Sequence, residues 1–403
     1  MMASLEKGGW IRAESPDSAD VIIVNSCAFI NAAKQESLNA VLSHRKAYPG
    51  KKIILAGCLA QRYGTRLEKS LPEADLLLNT EELERVINVL GTSSGREKGK
   101  RPLLSPPGSA YVKISEGCSN WCTFCAIPLI KGELQSRTIP DIVAECLGLL
   151  DRGIHEICLV GQDVASFGMD REGGELYQLL MTLLKIQRKF WIRLLYIHPD
   201  HFPYNILKLF QKDPRLVPYF DLPFQHSARN ILNEMNRHGN ANTYLKLLED
   251  IRGALPNAII RSTFLVGFPG ETEADFRSLL RFQQNAELDW MGCFCYSREE
   301  GTLSYKMNRQ VAKRVAAERQ SILENHQVPI TEKHLNHFIG HTIDVLVEES
   351  LSRVLYLGRI FAQAPEVDGA TVIHSNNPLV PGTVVQGTVY TRLGFDLQVS
   401  VNN

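Results

Sequence analysis

The alternation of apolar and polar positions first predicts a small α/β unit near the N-terminus. Between residues 19 and 90, short β-branched runs alternate with stretches of helical periodicity. The strands are predicted at residues 20–25, 52–57 and 74–78, and the helices at 32–47 and 65–70. Because strands and helices take turns, the pattern favours a parallel sheet covered by helices.

Further along, strand and helix patterns alternate six times between residues 111 and 336. Predicted strands lie at 111–117, 156–162, 191–197, 218–224, 259–267 and 290–296, and predicted helices at 141–152, 175–186, 242–255 and 273–286. Repeated right-handed βα units curl into a parallel barrel, and six units predict a partial (β/α)6 barrel. We expect its chemistry at the carboxyl ends of the strands.

The last part of the chain has short strand patterns broken by Gly, Pro and Asn, at residues 342–347, 353–361, 384–390 and 395–401. This texture predicts a small all-β barrel. Residues 92–110 are rich in helix breakers and charge, which is typical of a linker. The predicted division is therefore an N-terminal domain (1–91), a linker (92–110), a core (111–336) and a barrel (337–403).

Composition and charge exclude some classes of protein. With 403 residues, 44% hydrophobic and 22% charged, the chain is typical of a globular protein of two or three domains. Lys+Arg and Asp+Glu both number 44, so net charge indicates no partner. The longest apolar runs are strand-sized, and residues 1–15 lack a signal-peptide pattern, so we expect a cytoplasmic protein without a membrane span. Its nine cysteines then favour thiols or metal ligands over disulfides.

Three cysteines follow the first core strand with the spacing Cys-x-x-x-Cys-x-x-Cys: Cys118, Cys122 and Cys125. Three thiolates on one short loop can hold one face of a soft metal centre. A structural zinc site uses four ligands, whereas three leave a metal position open for a ligand. Structural zinc or unrelated buried thiols remain the alternative.

Other polar or glycine positions end the following core strands. They are Gln162 and Asp163 after the second strand, Gln225 and His226 after the fourth, and Gly267, Gly270 and Glu271 after the fifth. The glutamines, Asp163 and the glycine turn can contact a cofactor at the strand ends, and His226 can act as an acid or base. The alternative for each is a strand-ending turn or a structural side chain. Cys146, Cys158, Cys293 and Cys295 lie in apolar patterns and are interpreted as packing residues.

In the N-terminal domain, Cys27 and Cys58 each follow a predicted strand. Since parallel strands end at one edge of a sheet, both thiols are expected to face that edge. Taken alone, they could be a metal-binding pair or two core thiols.

Several segments together resemble the methylthiotransferase family of radical S-adenosylmethionine (SAM) enzymes, in its ribosomal-protein branch, over essentially the whole chain. They are the Cys118 loop, Cys125-Ala-Ile-Pro-Leu-Ile-Lys-Gly132, Ser136-Arg137, Asp221-Leu-Pro-Phe-Gln-His226 and Arg261-Ser-Thr-Phe-Leu-Val-Gly-Phe-Pro-Gly-Glu-Thr272. By this resemblance, Cys118, Cys122 and Cys125 hold a four-iron four-sulfur cluster whose open iron binds SAM. One electron then cleaves SAM to a 5'-deoxyadenosyl radical. The resemblance also suggests SAM contacts for Gln162, Asp163, Gln225, Gly267 and Gly270.

The family also holds an auxiliary four-iron four-sulfur cluster with three cysteines. Cys27 and Cys58 match two of them, and the first has no counterpart here. Residues 5–11 are similar to the helix that follows that first cysteine, so the domain is expected to be shortened at its start or to have an altered auxiliary site. This leaves sulfur insertion open.

The resemblance implies transfer of a methylthio group to the β-carbon of an aspartate in a small-subunit ribosomal protein, with an electron donor of flavodoxin or ferredoxin type. The alternatives are a tRNA adenosine methylthiotransferase and an inactive iron–sulfur protein.

The last domain resembles the TRAM module, usually an RNA binder. From Phe338 on it has three basic residues and six acidic ones: Arg353, Arg359, Arg392, and Asp344, Glu348, Glu349, Glu366, Asp368, Asp396. This acidic balance favours a basic protein partner, and direct nucleic-acid binding is not expected. A solvated surface without a partner is the other interpretation.

Overall fold

The computed structural model describes residues 1–80, 82, 86–91, 103–171 and 173–401. The chain forms two compact units, one of residues 1–104, 123–133 and 297–306, and the other of residues 105–122, 134–296 and 307–403. Most of the predicted linker, residues 92–102, lies outside the described residues. The domain boundaries given above stay predictions.

The first unit contains a three-stranded parallel sheet in the order β1-β2-β3. Side chains of the central strand alternate between two cores, with Ile53 and Leu55 on one face and Ile54 and Ala56 on the other. The elements are α1 (Met2–Lys7), β1 (Val21–Ser26), α2 (Asn31–Ala47), β2 (Lys52–Gly57), α3 (Cys58–Ser70), β3 (Leu76–Leu78), α4 (Val86–Leu90) and α5 (Ile127–Lys131). The predicted parallel α/β unit is confirmed.

The second unit begins with an open sheet of six parallel strands in the order β11-β10-β9-β8-β7-β4, which confirms the predicted partial barrel. The strands are β4 (Ser109–Lys113), β7 (Glu156–Val160), β8 (Trp191–Leu194), β9 (Leu216–Asp221), β10 (Ile259–Val266) and β11 (Trp290–Cys295). A short antiparallel pair, β5 (Ser115–Glu116) and β6 (Gln135–Ser136), follows β4. The helices are α6 (Ile139–Leu150), α7 (Leu176–Leu183), α8 (Leu207–Lys212), α9 (Arg229–Glu234), α10 (Ala241–Ala254), α11 (Glu273–Ala286) and α12 (Lys313–Asn336).

The C-terminal part is a closed five-stranded barrel in the order β12-β13-β14-β16-β15, as the sequence pattern predicted. Its strands are β12 (Thr342–Ser350), β13 (Leu355–Arg359), β14 (Thr371–His374), β15 (Val384–Leu393) and β16 (Asp396–Ser400). The sequence pattern missed β14, because four residues are too few to show a clear alternation.

A buried ion network joins the barrel to the end of the six-stranded sheet at which its strands begin. Glu156, the first residue of β7, accepts hydrogen bonds from Arg193 at 2.8 Å and from Arg359 of β13 at 2.6 Å. Arg359 also binds Ser109 and Glu348, at 2.8 and 2.7 Å. Since Ser109 and Glu156 begin their strands, the barrel covers the edge opposite the strand ends that carry the predicted site.

The helices found in the described parts of the chain are all too short or too polar to cross a bilayer.

We predict that Glu156→Gln lowers the free energy of unfolding by about 3–5 kcal/mol, because it leaves the buried Arg193 guanidinium without its counter-charge and Arg359 with Glu348 alone. Urea denaturation at pH 7 measures the loss, with exposed Glu349→Gln as the control. Burial acts to raise the pKa of Glu156, but Arg193 and Arg359 lower it from 4.5 to about 2. The difference in free energy of unfolding between the wild type and Glu156→Gln is therefore fully present above pH 4.5 and is lost as the pH falls toward 2. An equal effect of both substitutions at pH 7 would contradict the prediction.

Candidate functional site

Neighbouring side chains hold the backbone of the cysteine loop between Cys118 and Cys122. The Asn236 amide donates to the carbonyl oxygens of Asn120 and Trp121 at 3.1 and 3.2 Å. The Asn120 amide in turn donates to Asp163 at 2.9 Å. Trp121 has a φ of 52°, a left-handed conformation that a side chain of its size rarely adopts. The loop is thus fixed from the ends of other elements of the second unit.

Cys118 and Cys122 belong to the second unit, and Cys125 belongs to the first. Burial raises the pKa of the Cys118 thiol to about 11, with an opposing hydrogen bond from the backbone N–H of Asn120. The amide of Ile127, at the start of α5, lies 3.5 Å from the Cys125 sulfur. Among the described residues, no three Cys, His, Asp or Glu side chains converge as a metal cage.

Asp163 is the most heavily hydrogen-bonded carboxylate at these strand ends, and it is 2% exposed. One oxygen accepts from the amides of Ala165 and His198, and the other from Asn120, Ser166 and His201, all within 2.5–3.1 Å. Burial acts to raise its pKa, but the hydrogen bond and charge of His201 hold that pKa well below the ordinary value. With both oxygens engaged by protein donors, the carboxylate is suited to fixing the cysteine loop. Its contact with SAM stays a prediction.

Several buried polar atoms at the same strand ends have no hydrogen-bond partner in the described protein. They are Ser115 Oγ, Gln162 Oε1 and His198 Nε2. Unpartnered buried polar atoms are rare in folded proteins, and each costs free energy unless a ligand satisfies it. Each of these atoms is therefore available to hydrogen-bond a polar ligand.

His226 and Glu271 face each other at 3.5 Å, and both side chains are fully buried. His226 Nδ1 accepts from the amide of Ala228 at 2.9 Å, so a neutral ring carries its proton on Nε2, toward Glu271. The other Glu271 oxygen accepts from the amide of Gly267 and from Arg319.

The structure gives Gly267 a packing role in addition to the predicted cofactor contact. Gly267 and Gly270 both have positive φ, of 76° and 86°. A Cβ on Gly267 would lie 2.5 Å from the Ala316 side chain of α12. Gln225 also has a positive φ, of 66°, and its backbone pairs with Thr263 and Leu265 of β10. Strained residues of this kind concentrate at functional sites.

Two site residues were missed by the sequence analysis. His198 stacks on His201 with ring centroids 4.5 Å apart, and burial together with the charge of Arg237 lowers the pKa of His198 to about 3. Arg237 is 4% exposed and hydrogen-bonds the Cys122 side chain. Both lie in irregular segments beyond the strands, so no periodic pattern marks them.

In the first unit, β1 and β2 pair in parallel with Ser26 beside Gly57. The next residues, Cys27 and Cys58, therefore leave the sheet at the same edge, as expected from the sequence. Gly57 has a φ of 100°, and a Cβ there would lie 2.9 Å from Ser26 O. Nearby, Arg62 donates to Ala28 O at 2.7 Å.

The four cysteines interpreted as packing residues include three that are fully enclosed. Cys146, Cys158 and Cys293 are buried, and Cys295 is half-buried. Burial raises the pKa of each of these thiols, which keeps them neutral at physiological pH.

Comparisons with known proteins agree with this architecture. Residues 1–79 match the uncharacterized protein family UPF0004, residues 112–282 the radical SAM superfamily, and residues 339–401 the TRAM domain. The structure is similar in fold to TsrM from Kitasatospora setae, a radical SAM methyltransferase, with a TM-score of 0.52 and 13% identity over 70% of this chain and 65% of that one. The class of protein is a radical SAM enzyme with a C-terminal TRAM barrel.

Full-length relatives narrow the class. The chain is 43% identical to ribosomal protein uS12 methylthiotransferase RimO of Treponema denticola, over 98% of this chain and 95% of the relative. It is 39% identical to the RimO of Aquifex aeolicus, over 98% and 92%. The chain belongs to the RimO family of methylthiotransferases.

We predict that Asp163→Asn lowers the free energy of unfolding by about 1–3 kcal/mol, since one carboxylate oxygen with hydrogen-bond donors around it becomes a donor itself. Urea denaturation of the metal-free protein measures this effect independently of any cofactor. Asp151→Asn, at an exposed residue with a surface ion pair to Arg188, is the control and should change stability by less than about 1 kcal/mol. Equal effects of the two variants would contradict the role given to Asp163.

Proposed function

We propose that this protein transfers a methylthio group to ribosomal protein uS12, at the β-carbon of an aspartate. The observation that carries the proposal is the Cys118 loop at the carboxyl end of the first strand of an open parallel sheet, in a chain 43% identical to a RimO protein. A ribosomal substrate also favours the cytoplasm as the site of action.

We propose that Cys118, Cys122 and Cys125 hold a four-iron four-sulfur cluster and that Gln162, Gln225, Gly267 and Gly270 line the SAM site. Support comes from three soft ligands that leave one iron open, and from Gln162 Oε1. This buried oxygen follows β7, the strand next to β4, and has no hydrogen-bond partner among the described residues. When bound, the cluster and SAM supply a radical that removes a hydrogen atom from an unactivated carbon, which acid–base groups cannot do.

The protein's own contribution is positioning and a polar lining. Asp163 orients the cysteine loop through Asn120. His198 is neutral over the physiological range because of its low pKa, and its Nε2 is directed to a buried position without a protein partner. The neutral His198 ring can therefore orient a ligand by hydrogen bonding without adding a charge to the site.

For the first unit we propose a second four-iron four-sulfur cluster, with Cys27 and Cys58 among its ligands, as the source of the transferred sulfur. The parallel register that brings the two residues to one edge supports this. Arg62 of α3, the helix that begins at Cys58, also donates to the carbonyl oxygen of Ala28 at 2.7 Å, which ties the two cysteine segments together.

The charge of the TRAM barrel supports a basic protein partner over tRNA. Arg359 is buried in the network with Glu156 and Glu348, and Arg392 pairs with Glu332 at 3.0 Å. Of the barrel's three arginines only Arg353 is exposed, whereas Asp344, Glu349 and Glu366 are exposed carboxylates. The exposed face is therefore acidic, which attracts a basic ribosomal protein and repels phosphate.

We also propose a reductant of flavodoxin or ferredoxin type, which supplies the electron for the SAM-binding cluster.

We expect the wild-type protein, reconstituted without oxygen, to hold about eight irons per chain and to add one methylthio group to uS12. The combined variant Cys118→Ala, Cys122→Ala, Cys125→Ala should retain about four irons and no activity, because its SAM-binding cluster is lost. Iron analysis and mass spectrometry of uS12 and of tRNA measure both. Cys295→Ala, outside the site, is the control. Modification of tRNA but not uS12 would refute the assigned substrate. A wild type with about four irons and a triple variant with none would refute the second cluster.

We also expect the double variant Asp344→Asn, Glu349→Gln to bind uS12 roughly three- to tenfold more weakly at low salt, since it removes two charges from the acidic face. The difference should shrink at high ionic strength because salt screens exposed charges. Titration calorimetry or fluorescence anisotropy measures the affinity. Glu249→Gln with Glu318→Gln, two exposed carboxylates outside the barrel, is the matched control. Equal weakening by both pairs would exclude a specific role for the barrel.

A further inference from the structure

The segment after α9 is folded against the cysteine loop. The helix ends at Glu234, and Asn236 takes a left-handed conformation with a φ of 59°. This turn lets the Asn236 amide hold the loop backbone at residues 120 and 121, while the amide of His238 donates to Asp200 at 2.7 Å. Arg237, between them, is therefore placed by contacts on both sides.

The Arg237 guanidinium is buried with only part of its hydrogen-bonding capacity used. Its Nη1 donates to Pro223 O at 2.7 Å, and the side chain hydrogen-bonds Cys122 and Tyr244. Its Nε has no partner in the described protein. A planar guanidinium offers five donors in a fixed geometry, so this side chain has an unused donor beside a cysteine sulfur.

The charge of Arg237 also lacks a direct carboxylate partner among the described residues. Asp200 acts on Arg237 through its charge without a direct ion pair, and its two oxygens accept from Tyr244 OH at 2.7 Å and from the His238 amide. A buried cation without an ion pair is costly, and proteins keep such groups where an anion binds. Three thiolates around a four-iron cluster are an anion of that kind, and the cluster becomes more negative when reduced.

We propose that Arg237 is a positioning residue of the SAM-binding cluster that hydrogen-bonds the sulfur of Cys122 and raises the cluster's reduction potential by stabilising its reduced state. The inference rests on the proposed function. The step concerned is the uptake of one electron by the oxidised cluster, from the reductant, with no bond made or broken. A nearby cation and a hydrogen bond to a ligand sulfur both favour the more negative state.

The test is an EPR-monitored redox titration of the full-length protein, in a Cys27→Ala, Cys58→Ala background so that only one cluster contributes. Arg237→Gln removes the charge and should lower the ratio of reduced to oxidised cluster at a fixed potential about tenfold, which equals a midpoint about 59 mV more negative. Arg237→Lys keeps the charge and should shift less. Arg229→Gln, the same change at an exposed residue of α9, is the matched control and should leave the midpoint unchanged.

An Arg237→Gln midpoint equal to that of the unsubstituted background, at equal iron content, overturns the inference, as does an equal shift in Arg229→Gln. Should Arg237→Gln lose its iron, retention of iron by Arg237→Lys supports a need for the cation. Loss of iron from both, with an equally lowered urea midpoint, overturns the inference in favour of simple packing. Absence of any cluster signal in the background protein would overturn the proposed function as well.

Discussion

All six strands of the open sheet run in one direction, so each delivers its first residue to one edge and its last to the other. The two edges carry different chemistry. At the starting edge, Glu156 binds Arg193 and Arg359 and fixes the TRAM barrel by a buried network. At the finishing edge, polar side chains remain without protein partners. Because the barrel occupies the first edge, the second is left for ligands.

The finishing edge divides its polar groups between two tasks. Asp163 has both oxygens fully used by protein donors, and its low pKa keeps it charged, so it serves as a rigid support for the cysteine loop. Gln162, its neighbour in sequence, has a buried oxygen that no described group satisfies. The two neighbours therefore differ in how fully the folded protein satisfies their polar groups.

Glycine and arginine positions show how packing shapes the site. Gly267 has a conformation and a close neighbour, Ala316, that no larger residue tolerates, so its place in a motif reflects the approach of α12. Arg237 is buried next to Cys122 by the short turn at Asn236. In each case a feature of the backbone places a residue whose chemical type alone would not reveal its role.

The sequence by itself determined the order of most elements, the parallel and barrel classes and the cysteine motif, because periodicity and spacing are local properties of the chain. Helix α11, predicted at residues 273–286, has those same bounds, since Thr272 and Asp275 cap it locally. Only the tertiary structure decided that Asp163 is saturated, that Arg359 is buried rather than on the acidic face, and that Arg237 reaches Cys122. Each of these depends on partners distant in sequence, and burial and hydrogen bonding with such partners exist only once the chain has folded.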